Sequence, residues 1–309
     1  MISFITFVGM KANYDVIIIG GSYAGLSAAM SLGRALKDIL IIDSGKPCNR
    51  QTPNAHNLIT HDGDAPASIK EHALKQLLQY PTVTSKNGLA IKASKQTDLF
   101  TIQTENGEAY TAKKLLFATG IIDIMPDIPG FAGCWGITVV HCPYCHGYEI
   151  HSQPTGIIAN GDAAFEYARL INNWTKNLTL FTNGTPQLSE EQFQKLQEHQ
   201  ITINDKLISS LNHSNGVLKH VKFADGSIQN VKAIYSRPSI KQHSDLPELL
   251  GCELTEMGFI KVDGFQATTI DGVFAAGDNA TMFRSLAIAI ADGNKAGAVI
   301  DKQLIQERF

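Results

Sequence analysis

The strongest constraint on the fold is a strand that runs straight into a glycine-rich turn. Asp15-Val-Ile-Ile-Ile leads into Gly20-Gly-Ser-Tyr-Ala-Gly25. Leu26–Leu36 then reads as a helix rich in small residues, and Ile39-Leu-Ile-Ile-Asp43 reads as a second strand. An apolar β-branched run, a turn that needs glycine, a helix and another strand make a βαβ unit, which belongs to a parallel sheet covered by helices. The pattern recurs. Gly156-Ile-Ile-Ala159 is a strand, Asn160-Gly-Asp-Ala-Ala164 a turn, Phe165–Trp174 a helix and Leu178-Thr-Leu-Phe-Thr182 a strand. Two such openings in 309 residues predict an α/β protein with two Rossmann-like, three-layer domains of the nucleotide-binding type.

The punctuation between them fixes their order. Leu99–Gln103 and Ala109–Lys113 flank Glu105-Asn-Gly-Glu108, a hairpin signal, and Val221–Ala224 and Ile228–Val231 flank Asp225-Gly226 in the same way. Met125-Pro-Asp-Ile-Pro-Gly130 reads as a linker, and so do Ser236-Arg-Pro-Ser239 and His243-Ser-Asp-Leu-Pro247. The second domain is therefore expected to be inserted into the first. The expected boundaries are 13–126 and 245–309 for the discontinuous outer domain and 127–244 for the central one. The C-terminal part completes the outer domain with Gly272-Val-Phe-Ala-Ala-Gly-Asp278 and an amphipathic helix over Ser285–Gln306.

Composition excludes several classes of function. The net charge is −3 and there is no Lys/Arg block, which argues against nucleic acid and anionic membrane surfaces as partners. No apolar run approaches the roughly 18 residues that mark a membrane-spanning helix. The first nine residues are apolar but lack a basic region and a small-residue cleavage site, so no secretory leader is expected. Met10 is an alternative start, and a cytoplasmic protein is the expectation. Five cysteines, an odd number, do not make a disulfide framework. Cys48, Cys134 and Cys252 stand alone and read as small buried residues.

Cys142 and Cys145 are different. Val139-Val-His-Cys142-Pro-Tyr-Cys145-His-Gly147-Tyr-Glu149 places two sulfurs at C-x-x-C spacing, close enough for a reversible disulfide. Pro143 suits a first helical position and Gly147 a stop, so Cys142 is expected to begin a one-turn helix. A thiolate there gains from backbone N–H groups, and such thiols ionise at roughly 3.5–7.5. Two plainer readings stand beside this one. A zinc half-site could use His141, His146 or His151, but the second metal-spaced pair is missing. The pair could also be two inert buried residues.

Gly20 and Gly25 occupy the first and third positions of G-x-G-x-x-G, Ser22 stands at the second, and Asp43 ends the next strand where a ribose-binding acid belongs. Such a turn aims backbone N–H groups and a helix N-terminus at a pyrophosphate. Lys114-Leu-Leu-Phe runs into Ala118-Thr-Gly120 as another strand and small-residue turn.

Taken in order, the Gly20–Gly25 turn, Ala118-Thr-Gly120, Cys142-Pro-Tyr-Cys145 and Val273-Phe-Ala-Ala-Gly-Asp278 resemble the low-molecular-weight thioredoxin reductases, from about Tyr14 to the end. The resemblance implies an FAD domain interrupted by a smaller NADPH-binding type of domain, and a homodimer. It implies flavin contacts from Gly20, Ser22, Tyr23, Ala24, Gly25, Asp43, Ser44, Arg50, Gln51, Thr119, Gly120, Gly277, Asp278, Arg284, Ser285 and Leu286. Only the arginine of the family's Arg-Gln-Ala is kept at Arg284-Ser-Leu286. The second turn departs from the pattern. It reads Ala159-Asn-Gly161-Asp-Ala-Ala164, so its first glycine is lost, and Phe181-Thr-Asn-Gly184 stands where the family carries His-Arg-Arg for the NADPH 2′-phosphate. A phosphate without a cationic partner loses its strongest contacts, so NADPH is doubtful as a cofactor while FAD is expected.

Within the same resemblance, Cys145 faces the flavin and Cys142 exchanges with substrate. His146 replaces the family's acid–base aspartate. Cys-x-x-Cys-His-Gly-Tyr-Glu looks like the FAD-dependent dithiol oxidases that close disulfides in epidithio natural products and pass electrons to oxygen. Glu149 would orient His146 or a water, or be a solvated acid. Of the remaining histidines, His56, His61, His72 and His243 read as surface or loop residues, with His61 the one closest to the flavin by resemblance. Three functions follow as expectations. The first is an FAD-dependent thiol–disulfide oxidoreductase not driven by NADPH, acting on a dithiol or disulfide substrate (a thioredoxin-like protein or a small molecule) with O2 or another carrier such as ferredoxin. The second is an NAD(P)H-dependent thioredoxin reductase. The third is a flavin-binding redox sensor.

Overall fold

The computed structural model describes residues 13–309. The N-terminal run and the alternative start at Met10 lie outside the described residues. The chain forms two compact units. One contains the residues up to Cys48, Ala67–Ile122 and Ile240–Phe309; the other contains Asn49–Pro66 and Asp123–Ser239. The second unit is thus inserted into the first. The crossings fall at Ile122 and Ile240, slightly before the prolines used to place them, because the strands Ile121–Ile124 and Ser239–Gln242 carry the chain across. The segment Asn49–Pro66 corrects the expectation. It was placed with 13–126 but groups with the second unit. It adds no strand to the first unit's sheet and instead contacts Ala132, whose carbonyl accepts from Gln51 Nε2 at 3.3 Å.

In the first unit, the sheet runs Val83–Asn87, Ile39–Asp43, Asn13–Ile19, Ala109–Phe117, Leu99–Thr104, Ala90–Gln96, with Val273–Ala275 also on Ala109–Phe117. The strands around Asn13–Ile19 are parallel, and Leu99–Thr104 is antiparallel to both neighbours. Val16, Ile17 and Ile18 are completely buried, as a strand covered on both faces requires. Helix Tyr23–Arg34 starts earlier than the apolar pattern suggests, because Ser22 takes the N-cap position and Gly25 lies inside the first turn. It packs along the final helix Leu286–Arg308, where Ser27 Oγ donates to Ile290 O at 2.7 Å. The predicted hairpin forms, with Gln103 opposite Ala109.

The second unit holds a five-stranded parallel sheet in the order Thr202–Asn204, Leu178–Phe181, Thr155–Ile158, Ala233–Ser236, Val139–Val140, and a separate three-stranded antiparallel sheet. Helix Gly161–Ile171 corrects another expectation. Residues 161–164, read as a turn, are already helical because Asn160 caps them, its Oδ1 accepting from Gly161 N at 2.9 Å. Among the described residues, no helix is long and apolar enough to cross a membrane.

Candidate functional site

The dithiol sits at the carboxyl end of an edge strand, where open α/β sheets place their ligands. Val139–Val140 pairs in parallel with Ala233–Ser236, Val140 opposite Tyr235. Cys142 and Arg237 each lie two residues past the paired Val140 and Tyr235, so the register carries both to one place. Cys142 is extended (φ −110°, ψ 113°) and is the N-cap of helix Pro143–His146, with Pro143 at N1. Gly147 ends the helix for a reason different from the expected left-handed stop, since its φ is an ordinary −68°. The site has no room for a side chain: a Cβ there would lie 2.3 Å from Pro143 O and 2.6 Å from Trp174 Nε1.

Neither sulfur is in a disulfide, and both residues are half-buried. The Cys142 thiol is pulled down to about 7. The hydrogen bond from Cys145 contributes most; burial opposes it, and the N–H groups of Cys145 and Tyr144 and the charge of Arg237 reinforce it. Arg237 is held in place by its guanidinium lying 4.2 Å above the Tyr167 ring, whose hydroxyl donates to His141 O at 2.5 Å. A thiol ionises above its pKa, and the thiolate is the nucleophile. Alkylation of Cys142 in the reduced protein is therefore expected to reach half its maximal rate near pH 7, below the ordinary thiol range of about 8.5. The pH profile of iodoacetamide labelling, read by peptide mass, checks this.

His146 follows the second cysteine on the same helix. Burial holds its imidazole below the usual value, with Glu149 raising it and His56 lowering it further. His56 is the residue that sequence reasoning passed over. Its Nδ1 lies 3.6 Å from Glu149 Oε1 and 3.6 Å from Asp62 Oδ1. His61, singled out instead, pairs with Asp64 at 2.9 Å on the surface. Among the described residues, no group of three or more His, Cys, Asp or Glu side chains is arranged to hold a metal ion.

The first unit contains the predicted dinucleotide cradle. Gly20 has φ +107°, and a Cβ there would lie 2.1 Å from Ala118 O. A Cβ on Gly25 would lie 1.9 Å from Gly20 O. The helix is thereby drawn against the strand end, its N-terminus facing a cavity lined in part by Gly20, Ser22, Asp43, Ser44 and Thr119. Ser22 makes no side-chain cap, which leaves its hydroxyl for a ligand. Burial works against ionisation of Asp43, but the Lys70 ammonium at 2.7 Å and the N–H groups of Gly21 and Gly45 hold its carboxyl below the usual range. Further along, Arg284 Nε lies 3.6 Å from Asp278 Oδ2, Ser285 caps the final helix through Ile288 N at 3.2 Å, and Leu286 begins it. Asn279, fully buried, donates to Phe117 O at 2.9 Å and Thr119 Oγ1 at 3.3 Å, while its Oδ1 has no partner. The open helix terminus, the acid and this orphan acceptor fit a bound FAD.

Arg50 and Gln51 belong to Asn49–Pro66, which groups with the other unit. Cys48 is not a buried core residue like Cys134 and Cys252; it is half-buried, with Sγ 3.7 Å from Asp278 Oδ2. Lys70 and His243 line the Asp43 cavity without having been singled out.

The second cradle is filled from within. Asn160 Oδ1 accepts from Gly161 N at 2.9 Å and from Gln187 N at 2.8 Å, and its Nδ2 donates to Thr182 O at 3.3 Å and Thr185 O at 3.0 Å. One amide of that turn, Gly161 N, is thus spent on a side chain. In the following loop, Asn183 Oδ1 accepts from Ile208 N, and residues 182–187 contain no cation.

A family model described as pyridine nucleotide-disulphide oxidoreductase matches residues 14–293. The thioredoxin reductase tcpT of Claviceps purpurea is 34% identical over 304 residues, 95% of each chain. The thioredoxin reductase sirT of Leptosphaeria maculans is 31% identical over 310 residues, 94% of each chain. A crystal structure of an oxidoreductase from Agrobacterium tumefaciens superposes with a TM-score of 0.90 at 36% identity, covering 95% of this chain and 99% of that one.

Proposed function

The chain belongs to the pyridine nucleotide-disulphide oxidoreductase family and is an FAD-dependent, thioredoxin-reductase-like enzyme; from that premise we propose that Cys142 and Cys145 exchange electrons between FAD and a dithiol or disulfide substrate without NADPH as donor. The observation that supports the NADPH part is the central turn, where Asn160 takes the Gly161 N–H and residues 182–187 offer no cation, while the Gly20–Gly25 cradle stays open.

The chain's own residues supply the following chemistry. In the oxidative direction, a substrate thiolate attacks the Cys142–Cys145 disulfide at Cys142, forming a mixed disulfide and releasing the Cys145 thiolate. The second substrate thiol attacks the substrate sulfur of that bond, leaves as a closed disulfide, and returns Cys142 as a thiolate steadied by Arg237 and the adjacent N–H groups. His146 holds or accepts the proton at the sulfurs, and Glu149 faces it from the next turn of chain. A bound FAD would supply the two-electron acceptor for the dithiol, with O2 or another carrier as the final oxidant. The same steps in reverse reduce a substrate disulfide. The first unit would bind FAD through Gly20, Ser22, Tyr23, Ala24, Gly25, Asp43, Ser44, Thr119, Gly120, Gly277, Asp278 and Arg284. The proposed assembly is a cytoplasmic homodimer.

Anaerobic titration of the FAD-loaded protein tests this reading. Dithiothreitol is expected to bleach the flavin at 450 nm or nearby, and stoichiometric NADPH or NADH is expected to leave it oxidised. Rapid bleaching by NADPH would instead support the second reading, an NAD(P)H-dependent thioredoxin reductase, which the names of the fungal relatives favour.

A further inference from the structure

We propose that His56 is a positioning residue that conducts protons between the dithiol and solvent, through Glu149 and His146 on one side and Asp62 on the other. The inference rests on the dithiol–FAD reading and adds a residue from a segment remote in sequence.

The geometry is specific. His56 Nδ1 is buried and makes no hydrogen bond, yet two carboxylates face it at 3.6 Å each, Glu149 and Asp62. The imidazole side chain is 19% exposed, Glu149 39% and Asp62 68%, so the line from Glu149 through His56 ends on the most exposed of the three groups. Slightly long contacts suit a relay, because each carboxylate can close on the imidazole in turn without a fixed bond to break. The charged groups that face it are Glu149 and His146 from the dithiol segment and Asp62 from the histidine's own loop.

The loop that presents His56 is built to hold still. Ala55 N donates to Asp64 O and Gly63 N to Ala55 O, both at 2.8 Å; Asn57 N donates to Asp62 Oδ1 at 2.7 Å and Asn54 Nδ2 to Gly63 O at 3.1 Å. Asn57 and Thr60 adopt left-handed φ of 59° and 71°, a cost that a loop without a task has no reason to bear. The result is a histidine fixed on a rigid hairpin-like turn, its ring nitrogen aimed at the chain after Cys145.

The chemistry supplies a proton for such a route. Closing the Cys142–Cys145 disulfide from two thiols forms one S–S bond, breaks two S–H bonds and releases two electrons and two protons. A bound FAD would take up the electron pair together with one proton, which leaves one proton for the protein's own groups. His146, half-buried, is the first proton acceptor and must be emptied before the next turnover. Glu149 receives that proton, His56 Nδ1 takes it up, and Asp62 delivers it to water. In the reductive direction the same groups carry protons inward.

The test uses the FAD-loaded protein and dithiothreitol as probe, with anaerobic stopped-flow absorbance from pH 6 to 9 in H2O and D2O. His56→Gln is expected to slow flavin bleaching about tenfold, to flatten its pH dependence and to enlarge the solvent isotope effect. His56→Ala is expected to be restored severalfold by added imidazole, which a merely structural loss would not show. Asp62→Asn, whose amide oxygen still accepts from Asn57, is the second variant and is expected to give a smaller loss of the same kind. Unchanged rate and pH profile in His56→Gln and Asp62→Asn, or no imidazole rescue of a folded His56→Ala, overturns the relay alone. Failure of dithiothreitol to bleach the unsubstituted protein overturns the dithiol–FAD reading and the relay with it.

Discussion

Replacing Cys145 with serine is expected to abolish reduction of bound FAD by dithiols, slowing it at least ~1000-fold, while the protein stays yellow and folded. A serine hydroxyl does not ionise near neutrality and forms no disulfide, so no electron pair can be gathered on the two side chains. Nothing in the cofactor cradle changes, since Gly20, Asp43 and Asp278 lie in the first unit and Cys145 in the second. The two cysteines are expected to fail differently. Cys145→Ser keeps Cys142, the thiol with the lowered pKa, and should be trapped as a mixed disulfide by an activated disulfide such as a thionitrobenzoate reagent. Cys142→Ser should be trapped far more slowly, because the thiol with the lowered pKa is gone. Anaerobic absorbance reports the first loss and intact-protein mass the second. Equal trapping of both variants would reverse or erase the assigned division of labour.

The second large effect is expected from Gly25→Ala. The added methyl would lie 1.9 Å from Gly20 O, a backbone atom that cannot swing aside. Either the helix Tyr23–Arg34 moves off the strand end or the turn distorts, and both spoil the amide cradle. Overpacking of this severity costs about 3 kcal/mol, which corresponds to a fall in melting temperature of about 6–12 °C for a unit of this size. The variant should also lose FAD during gel filtration. Gly45→Ala is the control. Gly45 has φ +72°, but a Cβ there meets nothing within 4 Å, so only backbone strain of about 1–2 kcal/mol is added. Comparable loss of FAD from both variants would mean that helix approach is not what makes the cradle.

The elements that could be read from sequence were those with local causes. Val16-Ile-Ile-Ile19 is an apolar run bounded by glycines, and no other structure buries it as well. Pro143 sets the start of the dithiol helix by its own ring. Where the reading slipped, the cause was non-local or capping. Residues 161–164 looked like a turn because glycine and aspartate are turn residues; Asn160 converts them into a helix start by a hydrogen bond that composition does not announce. Gly147 was chosen for packing against Trp174, not for its dihedral freedom.

The parts of the candidate site that stayed hidden are those assembled across long stretches of chain. Arg237 sits in Ser236-Arg-Pro-Ser239, which reads as a linker; only the parallel register of Val140 with Tyr235 places it beside Cys142. His56 and His61 are equivalent by composition, and only the turns closed by Asp62 and Asp64 decide which one faces Glu149. The grouping of Asn49–Pro66 with the second unit, which makes that contact, carries no sequence mark at all.

The low ionisation of Cys142 has a consequence for the driving force of the couple. Below pH 7 the reduced pair holds two protons, so its reduction potential falls by ~59 mV for each pH unit; above it the pair holds one, and the slope halves to ~30 mV. The bend lies within the range in which cells work. There, proton activity scales the thermodynamic pull of this dithiol on its substrate less steeply than it does for an ordinary thiol pair, whose bend lies above pH 8.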